Sequence, residues 1–578
     1  MNVAAHITHE AVQKIGGIGA VISGLCTADK YKGFFAETLL YGPLFDRNAN
    51  VASRLGKDGE VMYSSIDNYD SGGYHEKFYS IVRDYKVDIV YGKRVLVNEF
   101  NINKTNRADT VLVSINRINE ERLNEFKFEL WQRYGIESNR YSSWDYEQYV
   151  RIALPYLDIL KALYPDSYKF YHFAHEYMGV PSALSVLMNG TDKNSNRTIF
   201  YAHEVSPCRT VVEGNEGHDI SFYPELYRNR KAGKTFEDVY GSQKDNYRAE
   251  LVRSTVNFDY VFAVSDLVKD EYMYFIPGAD ENKVKVVYNG IPVKLINPDE
   301  KLKSRKLLQN YIENLFNFTP DIVFTHVTRL VISKGIWRDI TFLYILDEVF
   351  HSYGIKGAFI LLTSLIGTGR DPAAVSSMEK EYGWPVIHRE GWPDLVGSEK
   401  DIYDFLSLFN ARSKNIKAVF LNQFGFNRRR CGERVPEEAG FKDLRIGSDA
   451  EFGFSIYEPF GIAQLEVIPF GGIAVLSSSC GSAFLLKEAF NGKKSGNYSI
   501  VDFIGNSAKY LGSAEINTLT ADRRFEIEKA ILKDISDKIF KSLPKSDSDR
   551  KSLLHSAQEN VDKLGWEAIV ERMSLSTL

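Results

Sequence analysis

A chain of 578 residues is long enough for two domains, and its 44% hydrophobic and 25% charged content is that of a soluble globular protein. Its net charge of −5 offers no basic field, which excludes nucleic acid as the main partner. Four scattered cysteines (Cys26, Cys208, Cys431, Cys480), none in a CxxC pair, exclude a disulfide framework or zinc ribbon and fit a reducing compartment.

The first residues, MNVAAHITHEAVQK, lack the basic-then-apolar pattern of a signal peptide, and no apolar run approaches a membrane span, so a cytoplasmic protein is expected. KIGGIGAVISGL (14–25) sets Gly16, Gly17 and Gly19 before an apolar helical run. Such glycines let a backbone approach a ligand at a helix entrance, although a tight turn needs them equally. WQRYGIESNRYSSWDY (131–146) is rich in aromatics; it either packs on its own domain or offers Tyr141 and Trp144 to an oligosaccharide. FAHEYMG (173–179) and TIFYAHEVSPCR (198–209) place His175, Glu176 and His203 at strand ends, with Arg209 six residues beyond His203.

Short apolar runs recur at 110–115, 198–203, 260–265, 284–290, 321–330, 357–365, 417–424, 452–458 and 472–479. Bounded by Gly, Asn or Ser and alternating with helical segments, they predict parallel βα units. The polar stretch NGIPVKLINPDEKLKSRK (289–306) reads as a connection between two lobes. The predicted division is 1–290, a connection at 291–309, a second lobe at 310–555, and a C-terminal helix within 556–578 that returns to the first lobe. That helix carries Trp566, Ile569, Val570 and Met573 at helical spacing.

In the second half, HVTRLVISKG (326–335) puts Arg329 and Lys334 just past a strand, where open α/β sheets bind ligands and where two cations suit a diphosphate. The run Arg428–Arg430 reads as a solvated loop. SIYEPFGIAQLEVIPFGG (455–472) contains Glu458 and Glu466 in an otherwise apolar segment with no Lys or Arg. A buried carboxylate is costly when unpaired, so each needs a partner from elsewhere in the chain or from a ligand. Strand 452–458 is expected to deliver Glu458, and a helix starting after Pro459–Gly461 to carry Glu466. The pair would suit the paired hydroxyls of a sugar or ribose.

EPFGIAQLE resembles the E-x7-E signature of retaining glycosyltransferases of the GT-B fold, most closely the glycogen synthases of fungi and animals. HEAVQKIGGIGAVI, the 127–150 segment, FAHEYMG and YAHEVSPCR resemble further segments of that family, with gaps, over most of 9–490. The resemblance implies an α/β protein of two Rossmann-like parallel-sheet lobes with the active site in a cleft between them. It implies that Lys14, Gly16 and Gly17 approach the donor and that Arg329 and Lys334, helped by Arg209, neutralise the departing diphosphate. Glu458, with Phe460 and Gly461 beside it, would meet the transferred sugar and Glu466 the ribose. His203 would lie by the anomeric carbon and Glu176 on the acceptor side. No metal or resident cofactor is implied, only a nucleotide-sugar co-substrate, UDP-glucose or ADP-glucose.

The chain departs from that family at EPFG for EPWG, at Tyr177 for a tryptophan, at Cys208 for a glycine, and in an Arg329–Lys334 spacing like that of bacterial starch and glycogen synthases. The leading expectation is glucose transfer from UDP-glucose to an α-glucan. Transfer of another sugar, such as mannose, to a small or lipid-linked acceptor is the alternative, and a non-catalytic scaffold is the reading from a different class. A homo-oligomer is compatible with all three. The C-terminal helix lacks the arginine-rich row through which eukaryotic glycogen synthases sense a sugar phosphate, so no such activation is expected.

Overall fold

Runs of Val, Ile, Phe and Tyr that alternate with amphipathic segments cannot bury both faces alone, and they pair into sheets covered by helices. The computed structural model describes every residue except 14–15, 58, 99–102, 190–191, 193, 215–217, 491–495, 512–514 and 516–517. It divides into two units: Met1–Thr210 with Arg228–Pro292 and Gly565–Leu578, and Val211–Tyr227 with Val293–Leu564.

The first unit is built on β1 (Asn2–Ile7), β2 (Glu37–Leu44), β3 (Gly59–Ser64), β4 (Tyr69–Asp70), β5 (Ile89–Val97), β6 (Thr105–Ser114), β7 (Lys169–His175), β8 (Asn196–Ala202), β9 (Tyr260–Ala263) and β10 (Val284–Val286). They form one sheet in the order β10-β9-β8-β7-β1-β2-β6-β5-β3-β4. From β10 to β6 every neighbouring pair is parallel, whereas β5, β3 and β4 attach antiparallel. The lobe is therefore mixed rather than purely parallel. The departure arises because the β5–β6 link, residues 98–104, is too short for a helical crossover. Strand order reverses between β1 and β7, the place where such sheets open a crevice at their carboxyl edge.

The second unit contains β11 (Ile322–Val327), β12 (Gly357–Leu362), β13 (Ile416–Leu421), β14 (Ala450–Gly453), β15 (Ile473–Ser477) and β16 (Tyr498–Val501), all parallel, in the order β13-β12-β11-β14-β15-β16. This is a doubly wound sheet whose order reverses between β11 and β14. Phe324, Phe359, Phe452 and Leu346 fill the core on one face; Val323, Ile360, Val419 and Leu308 fill it on the other.

The expected connection at 291–309 is not a linker along its length. Asn297 caps a helix, Pro298–Phe316, in a reciprocal capping box with Glu300. Leu307, Leu308, Tyr311 and Ile312 bury one face of that helix, and Lys301 is buried with its ammonium donating to the carbonyls of Ile446 and Ser448. Its polar composition reflects only the other face.

Residues 211–227, expected in the first lobe, belong to the second unit. Ile220 joins its core, and Asp219 meets the fully buried Arg338 at 2.6 Å. Arg338 also pairs with Glu528 at 2.7 Å and lies 3.9 Å over the Phe503 ring. His218, Asp219 and Glu528 have the spacing of a metal cluster, but the guanidinium already supplies the cation between the carboxylates.

The single C-terminal helix expected within 556–578 is two pieces, a 3-10 turn at Val561–Leu564 and a helix at Trp566–Arg572, because Gly565 breaks the run. Only residues from 565 onward belong to the first unit. No helix among the described residues is long and apolar enough to cross a membrane.

Candidate functional site

The question raised by Glu458 and Glu466 has an answer inside the second unit. β11 and β14 lie side by side at the point of strand reversal, and both candidate groups follow their carboxyl ends. β14 ends at Gly453, so Glu458 is carried by a loop and not by the strand expected over 452–458. That loop is tied down on both sides. Ile456 N–H donates to Ser333 O at 2.8 Å, Gly481 N–H donates to Glu458 O at 2.9 Å, and Ser482 N–H donates to Phe460 O at 2.8 Å. The Lys334 ammonium pairs directly with the Glu458 carboxylate; the two side chains are 12% and 11% exposed. Arg329 is exposed on the same loop as Lys334.

Glu466 is paired as well. Arg445, fully buried, reaches it at 3.2 Å and Glu451 at 3.0 Å, and donates to the Ala463 carbonyl. The helix expected to carry Glu466 is a single turn, Ile462–Leu465, with Glu466 at its C-cap. The Ala463 carbonyl, which would continue the helix, instead accepts from Glu466 N–H and from Arg445, and Pro469 bars extension further on. Gly461 sits at φ +89°, and a Cβ there would lie 2.9 Å from Glu458 Cγ, so this turn requires glycine. The Phe460 side chain is buried.

The first unit has its own group at its own point of reversal. Glu176 follows β7 with φ +58°, a left-handed conformation that a glutamate adopts only under constraint. Gly179 allows this helix entrance to press onto β1, because a Cβ would come within 2.8 Å of Ile7 O. The backbone amides of His203 and Glu204 donate to the Glu176 carboxyl, whose Oε2 is buried with no hydrogen-bond partner. Burial, then the neighbouring Glu204, push its pKa well above the usual carboxylate range. Arg209 pairs with Glu204 at 2.8 Å.

His203 is stacked on Tyr201 (4.7 Å between centroids) and on His175 (5.2 Å), and its Nε2 is 2.9 Å from His175 Nδ1. His175 Nε2 is in turn 2.8 Å from Nδ1 of His6 in β1. Burial pushes His6 and His203 down to about 3, and His175 well below the usual imidazole value, so all three are neutral. His6 escapes sequence reading because NVAAHI reads simply as a strand; its signal is that β1 lies beside β7, which only the topology reveals.

Gly16 precedes the helix Gly17–Thr27, as the glycine cluster suggests. The entrance is not vacant, however: Glu10 accepts from Gly19 N–H at 2.8 Å, and a Cβ on Gly16 would meet the same carboxylate at 3.1 Å. Lys14 lies outside the described residues. Tyr141 is buried and donates to Lys244 O, so it offers no platform for a sugar; Trp144 is half exposed beneath the Arg151 guanidinium. Arg428 and Arg429 are exposed, but the run forms a short helix, Arg428–Cys431, and Arg430 is half-buried and donates to the Phe424 carbonyl at 3.1 Å, so it is not a solvated loop throughout.

No family model matches the chain, and no curated protein does. Solved structures that match include trehalose-6-phosphate from E. coli bound with UDP-2-fluoro glucose (14% identity, TM-score 0.49, 99% of this chain and 98% of that one). Another is an alpha,alpha-trehalose-phosphate synthase (UDP-forming) from Burkholderia vietnamiensis (12%, 0.49, 100% and 99%). A third is the corresponding enzyme from Burkholderia xenovorans in complex with glucose-6-phosphate (11%, 0.49, 100% and 99%). A likeness this faint fixes no substrate.

Proposed function

We propose that the chain is a retaining, metal-independent glycosyltransferase that takes glucose from a nucleotide sugar, UDP-glucose in the first instance. The observation that carries the reading is the Lys334–Glu458 pair at the strand reversal of the second unit, with Arg329 exposed on the same loop. Breaking a glycosidic bond to a nucleoside diphosphate builds negative charge on the leaving oxygen, and fixed cations aimed at it are the largest single aid to such a step. Lys334 is held in place by Glu458 and can share its ammonium with a diphosphate, while Glu458 is released toward a sugar hydroxyl. Glu466, oriented by Arg445, is an acceptor for ribose hydroxyls. In the first unit His203 is neutral and Glu176 is a buried carboxyl held above its usual pKa, hydrogen-bonding groups of the kind that recognise a sugar. The motif resemblance favours an α-glucan as acceptor.

The test is release of nucleoside diphosphate from UDP-, ADP- and GDP-sugars, with glycogen, maltooligosaccharide, glucose 6-phosphate or no acceptor. Release from UDP-glucose that rises with glucan and is indifferent to EDTA supports the whole reading. A rise with glucose 6-phosphate alone replaces the acceptor and keeps the transferase. No release from any donor overturns it.

A further inference from the structure

The buried imidazoles of the first unit form one continuous line of hydrogen bonds, and its far end fixes the direction of every proton. Asn106 Nδ2 donates to the Cys26 backbone carbonyl at 2.9 Å; a carbonyl only accepts, so the amide orientation is set. The second hydrogen of that amide goes to Thr38 Oγ1 at 3.3 Å. Thr38 is buried and its remaining hydroxyl neighbour is Tyr31 OH at 3.3 Å; were the tyrosine to donate, the threonine proton would have no acceptor among the described residues, so the threonine donates. The tyrosine proton then goes to His6 Nε2 at 2.9 Å, a stronger acceptor than the neighbouring Cys26 sulfur. A neutral imidazole has one N–H and one lone pair, so a nitrogen that accepts obliges the other to donate. His6 Nδ1–H therefore donates to His175 Nε2, and His175 Nδ1–H donates to His203 Nε2. What remains is His203 Nδ1, which makes no hydrogen bond among the described residues.

We propose that His6 and His175, oriented from Tyr31, Thr38 and Asn106, lock His203 as a neutral imidazole whose open Nδ1 always carries the proton. His203 then gives a hydrogen bond to an oxygen of its ligand and cannot act as a base at that nitrogen. His6, His175 and Tyr31 are positioning residues, acting through His203. The far end of the line stays a proton source: burial raises the Tyr31 hydroxyl well above its usual range and the Cys26 thiol, 3.6 Å from His6 Nε2, to about 12. The identity of the oxygen that receives the hydrogen bond rests on the glycosyltransferase reading; the tautomer does not.

The experiment is nitrogen-15 NMR of full-length, ligand-free protein labelled in its histidine rings, with the His203 signals assigned by their loss in His203→Gln. The expected result at neutral pH is a pyrrole-type Nδ1 and a pyridine-type Nε2. A pyrrole-type Nε2, or an imidazolium, overturns the proposal. Asn106→Asp supplies the second arm, because the oxygen that replaces Nδ2, protonated toward the Cys26 carbonyl, accepts from Thr38 where the amide donated. Tyr31 can then donate to Thr38 and accept from His6 Nε2–H, so His203 should exchange its two shifts. A folded Asn106→Asp protein in which His203 keeps Nδ1–H overturns the relay. Should that variant not fold, the wild-type shifts still decide. Because no donor sugar is added, absence of transferase activity leaves the result intact.

Discussion

The two points of strand reversal handle charge in opposite ways. In the second unit the polar groups are ionic and compensated: Lys334 with Glu458, and Arg445 with Glu451 and Glu466. In the first unit burial disfavours charge: three imidazoles are neutral and hydrogen-bonded in a line, and a glutamate is held above its usual pKa. Compensated pairs can exchange partners when a charged ligand arrives, because the new ion replaces the old one at similar desolvation cost. A neutral line cannot supply a charge, but it gives direction to a hydrogen bond. The first arrangement suits a diphosphate and the second suits uncharged hydroxyls.

That contrast can be broken at its strongest point away from ligand. Arg338→Met leaves Asp219 and Glu528 buried without a cation, which should cost the second unit about 3–5 kcal/mol. Denaturant unfolding followed on that unit measures it, and a loss within the noise would mean the cluster is not the clasp for residues 211–227. Lys334→Ala should reduce diphosphate release by roughly 10²–10³-fold, the usual effect of removing one group that stabilises developing charge. A rate close to wild type would remove Lys334 from the chemistry.

The neutral side is sharpened by pH. The depressed imidazoles make the first unit lose stability as pH falls from about 6.5, their unfolded value, toward about 3. Glu176 opposes this, because a raised carboxyl keeps its proton in the folded state at pH values above about 4.3 where the unfolded chain has lost it. Glu176→Gln removes the opposing slope. Acidification through that window should therefore destabilise the variant more steeply than wild type, by about 1.4 kcal/mol per pH unit. Parallel curves would show that Glu176 is ionised in the folded protein. Smallest is Glu466→Gln, which weakens a charged hydrogen-bond acceptor and should raise the KM for donor roughly 10-fold with less change in kcat. A fall in kcat at unchanged KM would move Glu466 from binding to chemistry.

Much of the second unit was legible in its sequence, since β11, β12, β13 and β15 are buried almost throughout and appear as apolar runs interrupted only by Thr325, His326, Lys417 and a closing Ser477. The first unit was less so. Its antiparallel strands β4 and β5 carry exposed Tyr69 and Asp70 and half-buried Lys93 and Arg94, which dilute the run that marks a strand. Glu458 and Glu466 stood out because carboxylates in apolar surroundings demand partners. The pairings did not: Lys334 stood out as a ligand for a diphosphate but lies 124 residues from Glu458 in sequence, and Arg445, in a short helix of ordinary composition, reads as a surface residue. His6 was illegible for the same reason: its neighbours are strands whose order no local pattern encodes.

The return of the last residues to the first unit has a consequence for the order in which the protein can be completed. Trp566 packs where Gly24 and Gly290 leave room; a Cβ on either glycine would lie within 3 Å of atoms of that tryptophan. Glu567 accepts from the backbone of Asp29 and Lys30 and meets the Lys104 ammonium at 2.6 Å. During synthesis the ribosome delivers Gly24 first and Trp566 last, with the second unit's main segment made in between. A nascent first unit therefore waits with an unfilled apolar slot until the second unit's main segment has been made, and a nascent chain stalled at residue 564 would hold that slot open.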